Sequence, residues 1–446
     1  MTVRLHKTPA APATLLISGG RVVDPGSGLD GERLDVLVRE GTITEIGPGL
    51  EATGVERVDA RGLTLLPGLV DPHVHLRTPG DEDEEDIASG TRAAAAGGFV
   101  AILAMPNTNP VVDSAQVLDS LVLRAGEEAV VATGFFAAIS TGQAGARLVE
   151  MAELADRGAA GFSDDGNPVE RAALLRRALQ YSRITGLKLS LHEEDMSLAA
   201  GGQMHEGAVS AELGLGGHPS IAESVMIGRD LQIARHENAP LHLCHVSAAE
   251  SVAEIRQAKE LGVAVTAEVT PHHLCLTDRA VAALDPATAK MNPPLRSAAD
   301  RAALIDAVSD GTLDCIATDH APHRAEEKEV PFEEAANGVI GLETAFSAVY
   351  THLVAPGLVS LSTIVERMST GPAAAFGLDA PAIRVGAPAN LGAWDLAADW
   401  LVEPPYASRS TNCAFAGQLL HATCRLTLAA GTVAHRVIEV AEVGER

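Results

Sequence analysis

The segment "GLVDPHVHLRTPG" (68–80) sets His73, His75 and Arg77 at alternate positions behind a short apolar run. In an extended strand alternate residues share one face at roughly 7 Å spacing, so two imidazoles and a guanidinium would point the same way. Two readings fit an isolated His-x-His. It is either a hydrogen-bonded pair beside a solvated arginine, or two metal ligands with a cation waiting beside them for an anionic ligand. The remaining His and Asp residues bear on the choice. "GAAGFS" (158–163) runs into Asp164 and Asp165, "LKLSLH" (187–192) ends on His192, "LHLCHV" (241–246) carries His242 and His245, and "LDCIAT" (313–318) runs into Asp319, His320 and His323. Singly, each of these is as easily structural, and Asp-Asp-Gly is a common turn. His242 could pair with His245 as a second strand-borne duo, and His272 and His273 in "TPHHL" read as supporting or packing residues.

What joins the set is that each member falls at the end of a short apolar strand candidate. Four imidazoles with at least two carboxylates exceed what one tetrahedral zinc accepts. Two divalent ions fit better, held about 3.5 to 4 Å apart by a bridging carboxylate. Nitrogen and oxygen donors without thiolate favour Zn²⁺, although Mn²⁺, Co²⁺ or Fe²⁺ suits the same geometry. Coordination lowers the pKa of bound water to about 7, so the chemistry is hydrolytic.

The elements that must position these residues follow a rhythm. From residue 14 to about 66 the texture is that of hairpins, with β-rich runs broken by Gly, Pro and Asp turns. From Pro67 apolar strand candidates recur, each followed by an Ala/Leu-rich helical stretch, at 68–76, 98–105, 130–139, 158–163, 187–192, 241–246, 263–269 and 313–318. Eight such units predict an α/β chain in the form of a (β/α)₈ TIM-type barrel, in which functional groups collect at the carboxyl ends of the strands. A doubly wound sheet is the structural rival. After about residue 378 hairpin texture returns, and the two flanks are expected to meet in one small β-sandwich domain, since neither alone buries a hydrophobic face. The expected division is 1–66, 67–378 (the catalytic barrel) and 379–446. The segment 320–338, dense in charge with scattered Pro and Gly, reads as a long exposed loop of the kind that serves as a lid.

A net charge of −26 over 446 residues argues against nucleic acid or an anionic membrane as partner, and leaves an anionic substrate dependent on local cations such as Arg77. The five cysteines, Cys244, Cys275, Cys315, Cys413 and Cys424, form no C-x-x-C pair and read as buried, reduced thiols. The four-residue run "TLLI" is too short for a signal-peptide core, and "AAAAGGFVAILAM" (93–105) is too short for a membrane span. A cytoplasmic protein is expected.

The motifs "GLVDPHVHLRTPG", "AMPNTNP", "FSDDG", "HEED", "CHVS", "EVTPHHL", "KMNPPLR" and "IATDHAPH" occur in an order and spacing that resembles the amidohydrolase superfamily, and within it the class I dihydroorotases, over about residues 14–435. The resemblance implies His73, His75 and a bridging Asp165 as metal ligands, with His192 and His245 on a second ion. Asp319 would contact a metal and transfer the proton. It also implies that Arg77, Asn107 and His323, with His75, face the substrate carboxylate, while Asn292 and the backbone at Asn337 and Gly338 hold a pyrimidine ring. In relatives the residue before that glycine is often apolar. Hydantoinases and allantoinases typically bridge their metals with a carboxylated lysine. Here the five lysines are Lys7, Lys188, Lys259, Lys290 and Lys328, none of which follows the fourth strand, so an aspartate bridge is expected. The implied reaction is reversible hydrolysis of dihydroorotate to N-carbamoyl-aspartate, with a hydantoinase-like cyclic amidase or an inactive scaffold for aspartate carbamoyltransferase as alternatives. A homodimer is expected, with association with aspartate carbamoyltransferase compatible with catalysis.

Overall fold

Leu15–Asp24 (β1), Leu29–Arg39 (β2) and Thr42–Gly47 (β3) pair antiparallel in succession, and β1 takes Glu56–Asp59 (β4) and Thr64–Pro67 (β5) as parallel neighbours. In this computed structural model, which describes residues 3–283, 286–438 and 440–441, the period-two alternation of β1 covers both faces. Leu15 and Ile17 join one apolar cluster with Val36 and Val38, whereas Leu16 packs with Leu37 and Val55 on the other side.

From Leu69 the pattern changes to parallel strands separated by helices. Leu69–Val74 (β6), Phe99–Ala104 (β7) and Ala132–Phe135 (β8) pair in chain order. So do Leu189–Leu191 (β9), Leu241–Leu243 (β10), Val265–Val269 (β11) and Cys315–Ile316 (β12). Phe162 links the two groups through parallel bridges to Ala137 and Leu189, and a parallel bridge from Val74 to His320 returns the last strand to the first. The order lacks the reversal that a doubly wound sheet requires. "GAAGFS" thus contributes a single bridging residue where a full strand is predicted. Every residue of β6 and β7 is buried, as expected of parallel strands covered on both faces.

After the last helices, Leu391–Leu401 (β13), Leu419–Ala429 (β14), Thr432–Arg436 (β15) and Val440–Ala441 (β16) return to the opening strands. Antiparallel pairing of β13 with β5, from Leu391 opposite Pro67 to Trp394 opposite Thr64, joins both ends of the chain in one nine-stranded sheet. Residues 1, 2, 439 and 442–446 of the expected flanking domain lie outside the described residues.

The segment 320–338 differs from the exposed loop its charge suggests. Ala325–Lys328 forms a helical turn, and the buried Lys328 Nζ donates to the carbonyls of Lys290, Ala336 and Gly338 at 3.2, 2.7 and 2.9 Å. An ammonium has three donors, and these carbonyls take all of them. The five cysteines are buried and free of disulfides, and among the described residues no helix is long and apolar enough to cross a membrane.

Candidate active site

His73 lies within β6 and is fully buried; His75 follows the strand end, its N–H donating to His320 O at 2.8 Å. The extended alternation stops before the arginine, because Arg77 has φ 54°. His245 (φ 34°) and Asp319 (φ 47°) also occupy the left-handed region. Such backbone costs of order 1–3 kcal/mol per non-glycine residue and persists only where the surrounding fold imposes it. Here the chain turns out of a strand at each of these positions, and the turn aims the side chain.

Asp165 is the centre of the cluster. Its Oδ1 lies 3.5 Å from His73 Nε2, 3.5 Å from His245 Nε2 and 3.9 Å from His192 Nδ1, and its Oδ2 lies 3.6 Å from His75 Nε2. Asp319 Oδ1 approaches His75 Nε2 at 3.1 Å and His73 Nε2 at 3.4 Å. The six predicted ligands are therefore brought together, although they come from five separate stretches of chain. Asp164, which strand periodicity alone could not separate from Asp165, turns away and accepts from the N–H groups of Ile139 and Ser140 and the Ser140 hydroxyl. His320 also turns away, its Nε2 3.2 Å from Glu85 and its Nδ1 accepting from Gly341 N.

The imidazoles are held from behind by carboxylates that the sequence reading did not single out. Glu268 Oε1 is 2.6 Å from His73 Nδ1, and Glu194 Oε2 is 3.0 Å from His192 Nε2. Asn107 Oδ1 accepts from His75 Nδ1 at 2.8 Å. Each contact uses one ring nitrogen and leaves the other facing Asp165 or Asp319, the arrangement that metal-binding histidines need. His242 is not a second ligand. It spans Glu268 Oε2 at 3.0 Å and Thr266 Oγ1 at 2.9 Å. The His272 and His273 rings meet at a tilt of 49°, 4.7 Å between centroids, and His273 spans Thr270 Oγ1 and Pro293 O. The quoted motifs "HEED" and "EVTPHHL" contain Glu194 and Glu268; a carboxylate two residues from a candidate ligand, or on a neighbouring strand, was the available signal.

The residues fit a cation. His73 Nε2 and Asp165 Oδ1 are buried with no hydrogen-bond partner among the described residues, although they face each other. Burial opposes the imidazolium of His73, yet the carboxylates of Asp165, Glu268 and Asp319 outweigh it and raise its pKa well above the usual value. Burial likewise opposes ionisation of Asp165, but the surrounding imidazoles hold its carboxyl well below the usual range. Such a cluster draws positive charge to its centre. Cys244 lies against His73 and Asp165, but burial pushes its thiol up to about 12, which keeps it protonated and a poor ligand. Lys188 Nζ donates to Thr266 Oγ1 at 3.2 Å and takes no part in the cluster.

Above it opens a cavity of about 250 Å³ lined by every predicted site residue except the fully buried His73, together with Gly166 and Ala321. Arg77 Nε is 3.0 Å from Glu84 Oε2, and Arg77 Nη2 is 3.2 Å from His323 Nε2. Asn107 is drawn in two ways, since its Nδ2 also donates to Asp165 Oδ2 at 3.3 Å. Asn292 Nδ2 donates to Glu194 Oε2 at 2.8 Å. Gly338 departs from expectation: its N–H already donates to Lys290 O at 3.0 Å, and its carbonyl accepts from Lys328 and Asn412. A Cβ there would meet Ala321 Cβ at 2.6 Å, so the glycine serves close approach and leaves no free N–H for a ring.

Comparison with known proteins extends this picture. A family model described as dihydro-orotase-like matches residues 62–251. The chain is 49% identical to a dihydroorotase of Anaeromyxobacter sp. (strain K) over 424 residues, covering 94% of this chain and 98% of that protein. It is 48% identical to a dihydroorotase of Pelobacter propionicus, covering 95% and 99%. Among solved structures it superposes on a dihydropyrimidinase from Brevibacillus agri with a TM-score of 0.83 at 25% identity, over 95% of each chain. An L-hydantoinase from Arthrobacter aurescens gives 0.84 at 26% identity, over 96% of this chain and 97% of that one.

Proposed function

This chain belongs to the dihydroorotase family, and from that premise we infer that it is a cyclic amide hydrolase that opens (S)-dihydroorotate to N-carbamoyl-L-aspartate, and closes it again, in pyrimidine synthesis. We assign it to class I, with a (β/α)₈ barrel over 67–378 carrying the site and a β-sandwich built from 1–66 and 379–446. The ring of parallel bridges and the shared terminal sheet support that division.

Two divalent ions, Zn²⁺ by the nature of the donors, would be held by His73 and His75 on one side and His192 and His245 on the other, with Asp165 between them and Asp319 contacting one ion. When bound, the ions supply a water of lowered pKa and polarise the scissile carbonyl. The Asp319 carboxylate takes the proton released as water adds to that carbonyl, and delivers it to the departing amide nitrogen. Arg77, with Asn107, His75 and His323, grips the substrate carboxylate, for which a guanidinium fork is suited. Asn292 and the Asn337–Gly338 segment flank the ring.

The observation that carries this reading is the unpartnered pair His73 Nε2 and Asp165 Oδ1, buried beneath a cavity that also holds a guanidinium. A hydantoinase-like activity is the second reading, favoured by the superpositions on a dihydropyrimidinase and a hydantoinase. The absence of a lysine from the cluster and the presence of Arg77 weigh against it. Turnover of dihydroorotate measured beside hydantoin and allantoin decides: preference for either of the latter rejects the inference, and no turnover of any leaves the inactive scaffold. A cytoplasmic homodimer, acting alone or with aspartate carbamoyltransferase, completes the proposal.

A further inference from the structure

We infer that Glu84 is a positioning residue that aims Arg77 and, at the same time, an internal competitor that sets how tightly this arginine holds a substrate carboxylate. The inference rests on the carboxylate-clamp reading given above.

Arg77 is a largely buried cation, its side chain 13% exposed, and among the described residues Glu84, at 7%, is its one carboxylate partner within ion-pair distance. The Nε–H of Arg77 donates to Pro322 O at 3.0 Å, and Glu84 Oε2 lies 3.0 Å from the same nitrogen as an ion-pair contact. The Nη2 contact with His323 Nε2 adds no acceptor. That ring nitrogen lies 2.8 Å from the Asn337 carbonyl and must carry a hydrogen to donate there, so two donors face each other. The inner edge of the guanidinium is thus occupied and the terminal edge is left for a ligand in the cavity.

Glu84 is itself firmly placed. Its N–H donates to Asp81 O at 2.9 Å, and its carbonyl accepts from Ser410 Oγ at 2.8 Å. Two residues on, Asp86 and Ser89 form the capping box that starts the helix Ile87–Ala96. The other charged or titratable groups facing the Glu84 carboxylate are Arg324 Nη2 at 3.8 Å from Oε1, His323 Nδ1 at 3.8 Å from Oε2, and the nearby Glu327 and Asp81. Burial, with Glu327 and Asp81, lifts the Glu84 carboxyl above the usual range although Arg77 opposes this. A substrate carboxylate on the terminal edge would bring a second anion to the same guanidinium. Glu84 then has two opposed effects: it orients the fork, and its charge weakens the fork's hold on the substrate.

These effects separate in two variants assayed at about pH 8.5, where a buried carboxylate of this kind is largely ionised. Glu84→Gln keeps a side chain of the same shape against the guanidinium and removes the charge, so KM for dihydroorotate is expected to fall about two- to fivefold with kcat within about twofold. Glu84→Ala removes that contact and the charge together, and KM is expected to rise about tenfold. A merely structural role would weaken both. Changes in the same direction, or no change in KM for either, overturn the inference; if the alanine variant does not fold, a KM that rises or stays level in Glu84→Gln suffices. Arg77→Lys is run alongside. If it leaves KM unchanged, the clamp reading fails, whereas a raised KM there with unresponsive Glu84 variants rejects the role of Glu84 alone.

Discussion

His73 Nδ1 and Glu268 Oε1 are 2.6 Å apart and both side chains are fully buried. The two residues stand on strands far apart in sequence, with β12 between them where the ring closes, and Glu268 also takes His242 through its other oxygen. Burial opposes ionisation of Glu268, but the two imidazoles outweigh it and hold its carboxyl down at about 2. It therefore acts as a fixed anion that orients His73 Nε2 toward Asp165.

Removing that anion loosens the metal site without touching a ligand. Glu268→Gln is expected to lower metal affinity by about 10- to 100-fold, the usual range for such supporting partners. Competition with a chromophoric chelator measures it, with circular dichroism as a check on folding. Unchanged retention of metal would remove Glu268 from this role.

Asp319 must be ionised to accept a proton. Burial works against this, but His73, His75 and His245 together hold its carboxyl below the usual range. Ring opening is therefore expected to weaken only in acid, whereas ring closure prefers acid. Asp319→Asn should reduce ring opening by about 10²- to 10⁴-fold. If the variant binds both metals and keeps most of its rate, the proton follows another route.

Arg77→Lys keeps the charge and loses the planar fork. KM for dihydroorotate is expected to rise about 10- to 100-fold while metal content stays level. Equal turnover by both forms would take Arg77 out of the substrate site.

Stripping the protein with a chelator should abolish activity, and Zn²⁺ or Mn²⁺ should restore it. Because the ions bind the folded chain alone, the stripped protein should also melt at a lower temperature. Activity that survives complete removal of metal contradicts the whole proposal.

Lys328→Met tests the staple under the segment 320–338. Ala336 O loses its donor, whereas Lys290 O keeps the Gly338 N–H and Gly338 O keeps Asn412 Nδ2, so a stability loss of about 1–2 kcal/mol is expected in chemical denaturation. KM should rise as well, because His323 is carried by the same segment. A variant as stable as the parent would show that water replaces the ammonium.

The alternation of apolar strands with helical stretches made the α/β architecture legible, since period and length are local properties. The clustering of His and Asp at strand ends pointed to a metal site for the same reason, and the choice of six ligands among them came from the family resemblance. The reduction of the fourth strand to Phe162 was not legible, because a single bridge depends on what lies on either side of it. The burial of Lys328 escaped as well: a charged side chain reads as exposed until three carbonyls are brought around it.

The sequence by itself determined the family, the strand-helix order and the chemical types gathered at the site, all of which reside in residue identity and spacing. Tertiary structure alone decided that Asp164 turns away to accept from Ile139 and Ser140, that Glu268 and Glu194 hold the imidazoles from behind, and that Glu84 pairs with Arg77 beside the cavity. Those are distances between stretches of chain far apart in sequence. They exist only once closure of the parallel ring carries the strand ends to one place and the left-handed turns at Arg77, His245 and Asp319 set the direction of each side chain.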